Sequence, residues 1–109
     1  MLPKKNRADK KAVERIFKEG RFLNSPNLTF KYIKTQEDEN PSRISFVAPK
    51  SVAKLAVKRN LLRRLGYNIL GKYFNQIPVG ILGVFVFKKY QTDPQIIENE
   101  IKNILSKIN

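Results

Sequence analysis

Ile81-Leu82-Gly83-Val84-Phe85-Val86-Phe87 is a nearly continuous apolar run. Its length and lack of polar alternation suit a strand buried on both faces. Such a strand belongs in a sheet with helices packed on it, and the flanking sequence supplies these elements. Upstream, Leu28-Thr29-Phe30-Lys31-Tyr32-Ile33-Lys34 alternates. Leu28, Phe30 and Tyr32 point one way, and Lys31 points the other. Residues 43–48, Arg-Ile-Ser-Phe-Val-Ala, read as a second strand, which Pro49 stops because proline cannot donate to a sheet ladder. The acidic run from Gln36 to Pro41 between these strands reads as a hairpin-type loop.

Three segments carry helical periodicity. In residues 9–19, Ala12, Val13, Ile16 and Phe17 fall on one face. Asn6 or Asp9 caps the start, and Gly20 is expected to end the helix in a left-handed turn. In residues 52–75, Val57, Leu61, Leu65 and Ile69 recur every four residues. Leu62, Leu70 and Phe74 widen that stripe, which is expected to face the sheet. Gly66 costs this helix about 1 kcal/mol relative to Ala and marks a kink or a close contact. Gly71 is a second weak point. Asp93-Pro94 opens the last helix, with Asp as N-cap and Pro at the first helical position. Ile97, Ile101, Ile104, Leu105 and Ile108 form its apolar face. The expected fold is a single α+β domain over residues 1–109, a small sandwich in the order α-β-β-α-β-α.

The chain of 109 residues carries 22 Lys and Arg against 9 Asp and Glu, a formal charge of +13. That field is most easily explained by a polyanionic partner, although a membrane surface fits the net charge alone. The acids are Asp9, Glu14, Glu19, Glu37, Asp38, Glu39, Asp93, Glu98 and Glu100. None lies between residues 40 and 92, where ten Lys or Arg residues fall, and another eight lie in residues 1–21.

Enzyme readings fail on inventory. The chain has no Cys and no His, which removes thiolate chemistry and the commonest general base and metal ligand. Glu37, Asp38 and Glu39 are adjacent in a loop, without the converging framework that metal-assisted phosphodiester cleavage requires. No catalytic residue and no metal site is expected in the protein. No apolar run reaches the length of a membrane span, and the first residues lack a secretory signal, so the cytoplasm is the expected compartment.

The binding signal lies on the long helix. Residues four apart share a face. Arg59, Arg63 and Tyr67 therefore form one row, Asn60 and Arg64 the next, and Lys54 and Lys58 flank them. Guanidinium groups make paired hydrogen bonds to phosphate oxygens. A charged solvent face usually mixes signs, whereas this one has no acid, which favours contact with RNA phosphates. Phe17 and Tyr32 are candidates to stack single-stranded bases in a groove beside this helix.

These residues also carry a resemblance. Leu2-Pro3-Lys4-Lys5-Asn6-Arg7, then Ile16-Phe17 and Gly20, then Tyr32, follow the pattern of the bacterial ribonuclease P protein subunit. Ala56-Val57-Lys58-Arg59-Asn60, followed by Arg63-Arg64-Leu65, resembles that family's signature of Arg-Asn-Arg and then Lys-Arg-Leu. Leu61 stands where the signature has its third Arg, and Tyr67 stands where the family has a further Arg. The resemblance implies a fold like domain 2 of ribosomal protein S5, with a left-handed βαβ crossover. It implies the protein subunit of an endoribonuclease whose chemistry resides in RNA. It implies two partners, a catalytic ribonuclease P RNA and precursor tRNA, and no DNA or membrane. It implies that Mg2+ is held mainly by the RNA, which removes the 5′ leader. On this analogy Lys58, Arg59, Asn60, Arg63 and Arg64 sit at the RNA interface, which Lys54 on the flank is expected to extend, and Phe17 and Tyr32 line a leader cleft between the sheet and the first helix. The rival readings are another small basic RNA-binding module of ribosomal type and a basic peripheral membrane protein.

Overall fold

The computed structural model describes residues 7–8, 10–34 and 42–108. The elements are α1 (Lys10–Glu19), β1 (Arg21–Asn24), β2 (Leu28–Lys34), β3 (Arg43–Val47), α2 (Ala56–Tyr73), β4 (Ile81–Phe87) and α3 (Pro94–Ser106), with a 3-10 turn at Phe74–Gln76 after α2. The fold is mixed α+β, as the apolar patterning implies. The four-residue β1 is an addition to the expected order, because Arg-Phe-Leu-Asn is too short and too exposed to show a pattern.

The sheet order is β1-β2-β4-β3. The apolar run at 81–87 is central: β4 pairs antiparallel with β2 and parallel with β3. The expected hairpin between β2 and β3 is therefore wrong, because β4 lies between them. The connecting residues 35–41, including the acidic triplet, lie outside the described residues, as do the proposed caps Asn6 and Asp9. β3 and β4 are joined through α2, a parallel crossover unit.

Alternation divides the sheet into two faces. Leu28, Phe30, Tyr32, Ile44, Phe46, Ile81, Phe85 and Phe87 form one core with the inner sides of α2 and α3. The rings of Phe30 and Phe85 lie 4.3 Å apart, and those of Phe46 and Phe85 lie 4.9 Å apart. The opposite face holds Val84 and is covered in part by α1, whose Ile16 is fully buried. Gly83 lies within the first core. A Cβ there would stand 2.4 Å from the Phe30 ring, so the strand needs a glycine at this position.

Helix ends follow local chemistry. The Asp93 carboxylate accepts the Gln95 N–H at 3.0 Å, with Pro94 at the first helical position, as the sequence implies. The Gly20 N–H donates to Ile16 O at 2.8 Å. Among the described residues it is Gly80, not Gly20, that adopts a positive φ, of 79°. Gly20 is required for a different reason: a Cβ would lie 2.4 Å from Ile16 O. α3 is anchored by Glu100, which is buried. Its Oε1 accepts the Asn27 N–H at 2.8 Å and the Ser25 hydroxyl, and its Oε2 accepts Asn27 Nδ2 at 2.6 Å. This carboxylate ties α3 to the β1–β2 turn and is committed to the fold.

Candidate nucleic-acid interface

α2 is shorter than its periodicity suggests, beginning at Ala56 rather than near residue 52. Its buried residues are Leu62, Gly66, Tyr67, Ile69 and Leu70. Val57 and Leu61, expected to face the sheet, are 70% and 48% exposed. A true helix turns 100° per residue, so a repeat of four drifts by about 40° at each step. Val57, Leu61, Leu65 and Ile69 therefore spiral from solvent into the core rather than forming one stripe. Gly66 is a close contact, since a Cβ there would meet the Phe46 ring at 2.4 Å.

Tyr67 is also displaced from its expected place. Rather than extending the row of Arg59 and Arg63 outward, it is buried against the sheet. Its hydroxyl accepts the Phe46 N–H at 3.1 Å, which satisfies an outward amide of edge strand β3. The Arg7 guanidinium carbon lies 4.0 Å from the centre of its ring. The segment carrying Arg7 is held by the Ser45 hydroxyl, which donates to Ala8 O at 2.8 Å. A guanidinium from the N-terminal segment therefore stands against α2 at Tyr67. Sequence reasoning missed Arg7, because no local pattern predicts that residue 7 meets residue 67.

The predicted basic residues take different roles. Arg59 is half-buried, and its Nη1 donates to Ala53 O at 3.0 Å and Lys54 O at 2.7 Å. It braces the turn that leads into α2, which lacks a side-chain cap. Asn60 Oδ1 accepts a hydrogen bond from Arg63 Nη2, which orients that guanidinium at the surface. Lys58 Nζ lies 5.4 Å from the Tyr90 ring centre. Lys54 and Arg64 are exposed, and among the described residues neither side chain has an ion-pair partner. The exposed cations Lys58, Arg63 and Arg64 thus lie on the N-terminal part of α2, with Lys54 in the turn before it, beside exposed Leu61 and Val57. The C-terminal part is tied to α3: the Tyr73 hydroxyl donates to Glu98 Oε1 at 3.0 Å, and Lys72 Nζ lies 3.9 Å from the same oxygen. The bond to the Glu98 carboxylate raises the pKa of Tyr73 above the usual phenol value.

Phe17 and Tyr32 do not share a groove. Tyr32 is 9% exposed and stacks with Phe30 at 5.4 Å in the core under α3. Phe17 is on α1, which packs on the other face, and it is 45% exposed. Lys31 Nζ lies 4.7 Å from its ring centre. Lys31 is in turn the cross-strand partner of Phe22, which is 62% exposed. The aromatic surface beside α1 is therefore built from Phe17, Lys31 and Phe22. Phe22 was hidden from sequence reasoning because β1 was.

No acid lies on α2, and among the described residues no group of three or more His, Cys, Asp or Glu converges to hold a metal ion. No helix of the described residues is long and apolar enough to cross a membrane. The site offers N–H donors of a kind that meets phosphate and exposed aromatic rings, and the only buried carboxylate among the described residues is the hydrogen-bonded Glu100.

The family model for ribonuclease P matches residues 2–109. The chain belongs to the ribonuclease P protein family. It is 35% identical over 101 residues to the ribonuclease P protein component of a Nitratiruptor species, covering 91% of this chain and 87% of that one. Its fold matches the ribonuclease P protein from Thermotoga maritima with a TM-score of 0.81 at 24% identity, over 94% of this chain and 97% of that one. It matches the Staphylococcus aureus ribonuclease P protein with a TM-score of 0.79 at 18% identity, over 93% of each chain. As a ribonuclease P protein component, the chain has a role in tRNA processing and partners the ribonuclease P RNA.

Proposed function

We propose that this component docks on the ribonuclease P RNA through the N-terminal part of α2 and presents a second surface to the 5′ leader of precursor tRNA. The observation that carries the reading is a helix end whose exposed cations have no acid among them: Lys58, Arg63 and Arg64 on the first half of α2, with Arg63 oriented by Asn60, and Lys54 in the turn before it. Unrelieved repulsion is lowered when phosphates approach, and each neutralised phosphate releases a counterion. Arg7, held on Tyr67, adds a guanidinium beside this face. Arg59 supports it by fixing the entry turn.

The leader is assigned to the α1 face, where Phe17 and Phe22 flank Lys31. Exposed rings offer stacking to unpaired bases, and the ammonium between them meets the backbone. Tyr32 is not part of this surface, because strand alternation turns it into the core. The cleavage chemistry is assigned to the partner RNA, with Mg2+ held mainly there, a reading supported by the absence of His from the chain and of converging carboxylates among the described residues. RNA rather than DNA is the expected ligand, and the cytoplasm the expected compartment.

The test is cleavage of precursor tRNA at low Mg2+. The chain alone is expected to leave the substrate intact and to raise cleavage by a cognate ribonuclease P RNA. No enhancement with a cognate RNA would contradict the reading.

A further inference from the structure

On the β1–β2 side of the sheet, away from β3, the end of α3 borders a cavity with the two strands. Tyr32 and Lys34 of β2 and Arg21 of β1 lie near the end of the helix, where Lys107 and Ile108 follow. The result is a cavity of about 500 Å3, within the roughly 300–1,000 Å3 range of small-ligand clefts. Its base is aromatic and aliphatic, from the buried Tyr32 and Ile108. Arg21 is the cross-strand partner of Tyr32 and shares its face. Arg21, Lys34 and Lys107 thus approach the cavity from three separate elements, and all three are exposed. The carboxylate that borders it, Glu19, is paired with Arg15 at 3.0 Å, so among the described lining residues the cations are in excess. Three like charges around one concavity repel one another, and an anion relieves that repulsion.

We propose that this cavity is a second RNA contact, a seat for one nucleotide of a single strand. Arg21, Lys34 and Lys107 hold its phosphate, and the Tyr32 and Ile108 base receives its ring. The site lies across the width of the sheet from α2, so the chain bridges two RNA segments. The inference rests on the reading that the chain binds RNA, but it concerns a surface which that reading does not use.

The experiment is an amide chemical-shift titration of the labelled full chain with a 5′-phosphorylated single-stranded RNA tetranucleotide, with inorganic phosphate as a parallel arm. The tetranucleotide is expected to shift Arg21, Lys34 and Lys107 along with Arg63 and Arg64. Lys34 and Lys107 are exposed, so the double variant K34Q/K107Q keeps the fold. It should weaken the cavity response by about tenfold or more and leave the α2 response in place. Shifts on α2 without shifts at the cavity would overturn the second contact while preserving the docking face. Cavity shifts that persist undiminished in the variant would also overturn it, as would phosphate alone matching the tetranucleotide in shift and affinity. Silence at both surfaces would overturn this inference and the RNA-binding reading together.

Discussion

The two halves of α2 are one continuous helix with opposite commitments. The C-terminal half, from Gly66 onward, is sunk into the sheet: Gly66, Tyr67, Ile69 and Leu70 are buried, and Tyr73 is fastened to Glu98. The N-terminal half buries Leu62 alone and leaves Val57 and Leu61 in solvent with Lys58, Arg63 and Arg64. Burial of one half supplies the rigidity with which the other presents its cations. The exposed half gains little from the fold, so its residue types are free to serve a partner.

The largest separation of the halves should appear in stability. Leu70→Ala removes a fully buried side chain and should cost about 2–5 kcal/mol in denaturant unfolding. Val57→Ala, near the other end of the same helix, should change stability by no more than about 0.5 kcal/mol. Similar losses at both positions would erase the distinction.

The glycines sharpen it further. Alanine is the better helix former, by about 1 kcal/mol, so propensity alone favours both Gly66→Ala and Gly71→Ala. At Gly71 a Cβ meets nothing within 4 Å, and the substitution should stabilise the protein by up to about 1 kcal/mol. At Gly66 the Phe46 ring is in the way, and the substitution should destabilise by about 1–3 kcal/mol. Thermal melts of the two variants should therefore shift in opposite directions.

Tyr67 marks the boundary between the halves, with its hydroxyl in the fold and its ring beneath Arg7. Arg7→Ala should lower the salt slope of RNA binding by about one phosphate contact. The same substitution in a Tyr67→Leu background should have a markedly smaller effect, because the shelf is already gone. Additive effects would show that the ring does not position the guanidinium.

Much of the fold was legible. Alternation in 28–34, the apolar run at 81–87 and the Asp93-Pro94 start are short-range signals that tertiary contacts reinforce. The strand order was not legible, because β4 enters between β2 and β3 from far along the chain. The acid-free charge pattern and the family resemblance both pointed to the basic helix, but a four-residue repeat read as a straight stripe puts Val57 and Leu61 inside, where the helix does not carry them. Tyr32 lies in the core despite its polar hydroxyl, and a clue was visible: it alternates in phase with Leu28 and Phe30, two core residues. Arg7 on Tyr67 and Phe22 beside Lys31 depend on chain segments meeting in space, and no spacing rule reaches them.

The salt dependence of binding to the ribonuclease P RNA is the most direct test of the docking face. Arg63 and Arg64 lie on the exposed half of α2, so the double variant R63A/R64A should fold as stably as the parent, within about 0.5 kcal/mol. The slope of log K against log salt should fall by about 1.4–1.8, the loss of two phosphate contacts. A slope equal to that of the parent, with the fold intact, would contradict the assignment of this face to RNA.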